Sequence, residues 1–190
     1  PGEENSSLAK ENGYVINLDR AEKLEKMTYS SLFSKAGIIV LEDTDESLLG
    51  KVDKLEVCDN NLYVLEKGRG LFLFNKQGKF IKMIGRQGKG PGEYIDPDDI
   101  SIDRENKKIY VLDSQTQNVL KYSGNGTFES SFKLENKGTR STFIQPFKNA
   151  LYTNLYTFDK SGKRFLLSKV DVTNGKRISF QFEASQYNKG

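Results

Sequence analysis

LYVLEKGRGLFLFNKQGKF (Leu62–Phe80) and IYVLDSQTQNVLKYSGNGTF (Ile109–Phe128) are two copies of one pattern. Each opens on an apolar run with a central tyrosine and a closing carboxylate, Leu62–Glu66 or Ile109–Asp113. A short polar loop follows, then a second apolar run, Leu71–Phe74 or Val119–Tyr122. A glycine turn, Lys76-Gln77-Gly78-Lys79 or Gly124-Asn125-Gly126-Thr127, leads into a last run, Phe80–Ile84 or Phe128–Leu134. Runs this short, rich in Val, Leu, Tyr and Phe and bounded by Gly, Asn and Lys, read as strands joined by hairpins. A further run precedes each copy, Val52–Val57 and Asp99–Ile102, which makes four strands per unit. Leu151-Tyr152-Thr153-Asn154 begins the pattern a third time, so the period is roughly forty-five residues. The third unit reads as strands Thr142–Pro146, Leu151–Tyr156, Arg164–Val172 and Arg177–Phe182. Its last two join at Thr173-Asn174-Gly175-Lys176, where an Asn-Gly pair signals a hairpin.

Four short antiparallel strands repeated at this period predict an all-β fold, a β-propeller of four-stranded blades. A small twisted sheet with two apolar faces buries them only against neighbouring sheets. The expected organisation is an N-terminal arm and lead-in strand over 1–27, an outer strand and lead-in over 28–51, blade 1 over 52–96, blade 2 over 97–136, and blade 3 with the C-terminal end over 137–190. Within the lead-in, Tyr14–Leu18 reads as a strand, Asp19–Met27 as one or two helical turns, and Ile38–Leu41 as a strand. Three blades do not close a ring. The chain is therefore expected to be part of a larger ring, completed by further sequence or by a second copy in a homodimer.

The linker IGRQGKGPGEYIDPDDISID (Ile84–Asp103) resembles the glycine-rich crossing of NHL-repeat propellers. Gly88-Lys89-Gly90-Pro91-Gly92-Glu93-Tyr94, with the lead-in Leu41–Val57, is similar to the six-bladed β-propeller lipoproteins of Bacteroides-type bacteria, whose function is unknown. That resemblance implies an exported, periplasmic or cell-surface protein with a lipid anchor upstream of the chain. It also implies a six-bladed ring of which this chain is about half, with Ile38–Leu41 as an outer strand latching the last blade of the ring. Physically, Gly85, Gly88, Gly90 and Gly92 give the crossing freedom that a Cβ removes, and Pro91 stiffens it. A phosphate cradle is the sharper reading, but GRQGKGPG lacks the Lys-Ser/Thr of a P-loop and precedes no helix.

Composition removes several chemistries. The chain of 190 residues has no histidine, which excludes a Ser-His-Asp triad and His-ligated zinc. Its net charge of +3 comes from 29 basic and 26 acidic residues, a mixed surface rather than a nucleic-acid footprint. The single cysteine, Cys58, lies in an apolar run and reads as a buried, inert thiol. No apolar stretch reaches membrane-spanning length. The chain begins at Pro1 rather than Met, which reads as a boundary set by processing or by the choice of fragment, so the compartment is not read directly from it.

Function is expected on the loop face of the ring. There the binding candidates are Arg69, Arg86, Lys89, Glu93, Tyr94, Asp96 and Asp99, with Lys67, Gln87, Asp98, Ser114, Gln115 and Gln117 nearby. This mixture suits a protein partner, a small polar ligand or a glycan, and the leading reading is non-catalytic binding with no cofactor and no catalytic residue. Asp96-Pro97-Asp98-Asp99 offers oxygen ligands to Ca²⁺, against the plainer reading of an Asp-Pro turn. The resemblance implies one alternative, a Ca²⁺-dependent lactonase-like or other hydrolytic propeller enzyme, with Asp99 and Asn154 in the channel. An NHL-type RNA-binding face on Lys67, Arg69, Arg86 and Lys89 is the other.

Overall fold

In the second strands of the first two units, nearly every side chain is buried, Leu62–Glu66 and Ile109–Asp113 alike. Strands with one wet face alternate in burial; these do not, because each sheet is covered on both sides. The computed structural model describes residues 26–135, 140–154, 157–158 and 163–183. The chain divides into two units, Pro1–Ile38 and Ile39–Gly190. In the first, the described part holds one short helix, α1 (Tyr29–Leu32), with Tyr29 stacked on Phe33 at 6.4 Å.

The second unit consists of three antiparallel sheets. The first contains β1 (Lys54–Cys58), β2 (Asn61–Glu66), β3 (Gly70–Asn75) and β4 (Phe80–Ile84), paired in that order. The second contains β5 (Pro97–Asp103), β6 (Lys108–Asp113), β7 (Asn118–Ser123) and β8 (Phe128–Lys133), again in order. The third runs β9 (Ile144–Phe147), β10 (Ala150–Thr153), β12 (Arg164–Asp171) and β13 (Arg177–Glu183); β11 (Thr157–Phe158) pairs with the far end of β12. The fold is therefore all-β, built of blade-like four-stranded sheets as the repeat predicts.

Side chains one position apart on a strand serve opposite neighbours. Tyr63, Leu65, Leu71 and Leu73 of the first sheet meet Ile100, Ile109, Val111 and Leu120 of the second. The alternate residues of the second sheet, Tyr110, Leu112 and Val119, meet Ile144, Leu151 and Val170 of the third. Each buried Leu, Ile or Val contributes about 1.5–3 kcal/mol of transfer energy, so these two interfaces hold the sheets together. On the remaining face of the first sheet, Leu62, Val64, Phe72 and Phe74 are covered by Leu41 and Leu49 from the lead-in, together with Phe80 and Met83. Tyr63 and Tyr110 are inter-sheet core; Tyr152 is half-buried and packs on exposed Phe147.

Three expectations need correction. Ile38–Leu41 is not a strand: it pairs with no strand among the described residues, and Ile38, Ile39 and Val40 are exposed. The short helix falls at Tyr29–Leu32, whereas Met27 is irregular; Tyr14–Leu18 and residues 19–25 lie outside the described residues. The turn between β12 and β13 is longer than a two-residue Asn-Gly hairpin. Only Gly175 takes positive φ (72°), and Asp171 caps the turn by accepting from the Thr173 N–H at 2.7 Å.

The turns also clamp neighbouring sheets. The Glu135 N–H donates to the Gly175 carbonyl at 3.2 Å, just after β8, and a Cβ on Gly175 would collide with the Lys133 carbonyl. The first sheet repeats this arrangement: the Glu42 N–H donates to the Gly78 carbonyl at 2.7 Å, and a Cβ on Gly78 would collide with the Val40 carbonyl. Val40 and Glu42 thus stand to the first sheet as Lys133 and Glu135 stand to the third.

Candidate functional site

The crossing from β4 to β5 is where most predicted site residues lie. Its amides are arranged like an anion cradle, and the chain fills that cradle itself. The Glu93 carboxylate accepts from the Gly90 N–H at 2.8 Å and from Arg86 Nε at 2.6 Å. These donors, the Gly90 amide first and the Arg86 guanidinium second, hold the Glu93 carboxyl below its ordinary value. The loop is pinned further by the Tyr94 N–H to the Arg86 carbonyl (3.1 Å) and the Gly88 N–H to the Tyr94 carbonyl (3.0 Å). Gln87 donates to the Gly68 carbonyl at 2.9 Å, and Lys89 is exposed. A phosphate cradle is thus set aside on geometry: an internal carboxylate already holds the Gly90 amide.

Tyr94 is wholly buried and offers no surface to a ligand. Its hydroxyl accepts from the Leu71 N–H at 3.1 Å and donates to the Ile84 carbonyl at 2.9 Å, so it bridges β3 and β4. Burial pushes its phenol up. Tyr122 makes a related contact, its hydroxyl donating to the Gly92 carbonyl at 3.1 Å.

The polar residues closing the second strands act on the incoming linkers. Glu66 accepts from the Gly50 N–H at 3.3 Å and pairs with Arg69 at 3.1 Å; Arg69 also lies over the Phe72 ring. Asp113 accepts from the N–H groups of Ile95 (2.8 Å), Gln115 (3.0 Å) and Thr116 (3.1 Å). Asn154 accepts from the N–H groups of Thr142 (3.0 Å) and Phe143 (3.1 Å). The repeated carboxylates are scaffold acceptors, and Asn154 does the same work in the third sheet.

Asp99 joins all three sheets. It is nearly buried, pairs with Lys54 of β1 at 2.7 Å and accepts from the Ile144 N–H of β9 at 2.8 Å. Beside it, Ser101 donates to Gln145 at 3.3 Å, and Arg104 reaches Glu56 at 3.4 Å. Asp98 pairs with Lys67 at 2.7 Å, and Asp96 accepts from the Ser114 hydroxyl at 3.2 Å. The three aspartates of Asp96–Asp99 therefore face different partners. Among the described residues, no group of three or more His, Cys, Asp or Glu side chains is placed to hold a metal ion. Of the cations proposed for an RNA face, Lys67, Arg69 and Arg86 are each engaged by a carboxylate. Cys58 is buried, and desolvation raises its thiol.

Two hollows lie at the first two sheets. One, of about 600 Å³, runs between the Gly88–Glu93 loop and the outer strands β7 and β8. Asn118, Leu120, Phe128, Ser130 and Ser131 line it from the sheet. The other, of about 430 Å³, lies among Cys58, Tyr63, Lys107 and Asn125. Asn118, Ser130 and Ser131 went unnoticed in the sequence. The available signal was Ser130-Ser131 between Phe128 and Phe132, a polar pair inside an outer strand.

Among the described residues, no helix is long and apolar enough to cross a membrane. Among solved structures, a predicted exported protein of Bacteroides fragilis is similar at 25% identity and a TM-score of 0.65. The match covers 76% of this chain and 41% of that one. A member of the DUF4221 family from Bacteroides vulgatus shares the fold at 10% identity and a TM-score of 0.52, over 77% of this chain and 48% of that one. The chain thus spans less than half the length of either structure. No curated protein matches it. The family model of a domain of unknown function, DUF4934, matches residues 13–189, and the chain belongs to that family.

Proposed function

We propose that the three sheets are consecutive blades of a six-bladed β-propeller in an exported bacterial protein, and that the propeller binds a protein or a small polar ligand rather than catalysing a reaction. The observation that carries the non-catalytic reading is the use of the loop carboxylates. Glu66, Glu93, Asp96, Asp98, Asp99 and Asp113 are each occupied by backbone N–H groups, a hydroxyl or cationic side chains of the scaffold. Acid–base or nucleophilic work needs a group free to meet a substrate. The loops instead present a fixed polar surface.

Two features support ring closure. Leu48, Val52, Leu55 and Val57 are exposed around the first sheet, as are Phe143, Phe147 and Ile178 in the third, so apolar side chains remain uncovered at both ends of the row. Exposed apolar surface of this kind marks an interface. The contact of Val40 and Glu42 with the Gly78 turn mimics that of an outer strand with the next sheet, which supports reading the lead-in as standing in for the outer strand of a preceding blade. Export rests on the Bacteroides fragilis neighbour and on the lipoprotein resemblance.

Light scattering coupled to size exclusion tests closure. A dimer of the chain, or a monomer that binds a hydrophobic dye and aggregates, fits open blade faces. A dye-silent monomer soluble at high concentration overturns them. Turnover of lactone substrates with added Ca²⁺ would sink the non-catalytic reading.

A further inference from the structure

We propose that the groove between the Gly88–Glu93 loop and strands β7 and β8 is a binding site for a neutral saccharide. The proposal rests on the reading of the chain as a binding module and names the ligand class and the place. At about 600 Å³ the groove falls within the size range of small-molecule sites. Both walls belong to the linker and the second sheet, so the site is complete without further blades.

The free hydrogen-bonding capacity of the lining decides the ligand class. Two carboxylates border the groove, and neither is available to a cation. Glu93 is taken by Arg86 and the Gly90 N–H, and Asp113 by three backbone N–H groups. Lys89 is the one cation of the lining, too little for an anionic ligand. What remains is neutral: the Asn118 amide and the hydroxyls of Ser130 and Ser131, which have no side-chain partner among the described residues. The Thr116 hydroxyl accepts only a weak 3.3 Å bond from the Asn118 N–H. These groups surround an apolar floor of Leu120 and the half-buried Phe128 ring. A pyranose matches both parts, with hydroxyls around its rim that donate and accept and a C–H face that lies on an aromatic ring. The walls are also fixed in advance. Glu93 ties the glycine loop and Asp113 ties the β6–β7 turn, so little ordering cost falls on binding.

The test is titration calorimetry of the full 190-residue chain with maltotriose, cellotriose and N,N′-diacetylchitobiose. The expected result is one-to-one binding of at least one of these, insensitive to salt. Ser131→Trp, which fills the groove, should weaken it at least tenfold, and Asn118→Ala should weaken it roughly fivefold through one lost hydrogen bond. Asn125→Trp, in the separate hollow, should leave binding unchanged. Should Ser131→Trp fail to fold by circular dichroism, Asn118→Ala decides. Binding that survives these groove substitutions overturns this site but leaves a binding module. The absence of binding by all three saccharides overturns the ligand class, and only the lactone assay above bears on catalysis.

Discussion

Tyr94→Phe is the substitution most informative about how the scaffold is held. It removes one oxygen and almost no volume, so the ring's close approach to Gly85 is retained. The lost hydroxyl bridges the Leu71 N–H and the Ile84 carbonyl, at 3.1 and 2.9 Å, in a wholly buried setting. Both backbone groups would then face an aromatic C–H. A typical buried hydrogen bond contributes about 0.5–1.5 kcal/mol net, and an orphaned buried group costs about 1–3 kcal/mol. Partial closure of β3 on β4 recovers some of this, which leaves an expected loss of about 2–3 kcal/mol. For a chain of this size that corresponds to a fall in Tm of roughly 4–12 °C. Urea titration should show a lower midpoint at unchanged slope, and hydrogen exchange should show the Leu71 amide losing protection. A loss under about 0.5 kcal/mol with Leu71 still protected would refute the reasoning, since the two strands would then close without the tyrosine.

Other residues make equally specific demands. Asp99→Ala, which strips Lys54 and the Ile144 N–H of their partner, should cost about 2–4 kcal/mol in urea melts, and Asp99→Asn, which keeps an acceptor, about 1 kcal/mol. Gly175→Ala and Gly78→Ala each force a Cβ into positive φ and against a carbonyl, and should each cost about 1–3 kcal/mol; Gly78→Ala should also expose the 39–42 segment to protease. Glu93, Asp53 and Asp171 are all held below their ordinary values, Glu93 by Gly90 and Arg86, Asp53 by Lys51 and Asp171 by Thr173. Their stabilisation is present above the unfolded values of 4.5 and 3.8 and is lost as pH falls through the lower folded ones. Urea midpoints should therefore drop below about pH 4.5, and Glu93→Gln should flatten part of that drop. Cys58 should react with a disulfide reagent at pH 8 more slowly in the folded chain than in urea, because burial shields the sulfur and raises its thiol.

The repeat was legible because it is written in strand-length apolar runs with carboxylate and glycine punctuation. β4 begins and ends where the sequence places it, at Phe80–Ile84, and the ends of the other strands in the first two sheets move by no more than two residues. Lys54–Cys58 starts later than Val52–Val57: the Asp53 N–H still donates to the Leu65 carbonyl of β2, but its carboxylate turns to accept from the Lys67 N–H beyond the end of β2. The site was less legible. Charge type flags a residue as exposed and reactive, but Glu93 and Asp99 are spent on partners distant in sequence or hidden in a loop amide. Tyr94 reads as a surface aromatic after a glycine run, and only the three-dimensional path of the linker turns it inward. Ile38–Leu41 has strand composition, but a strand needs a neighbour, and composition is silent on that.

Tyr94 and Ile95 are consecutive residues with opposite allegiances: the first fastens β3 to β4, and the second gives its N–H to Asp113 of the following sheet. The inheritable module is therefore not a sheet but a sheet plus the linker behind it. A duplication, permutation or graft cut at Ile84 would carry away a sheet with its last rung open, whereas a cut after Tyr94 would carry a finished one. On the ribosome, the same logic delays completion of the first sheet until its linker has emerged, so that each sheet is sealed by the chain that begins the next.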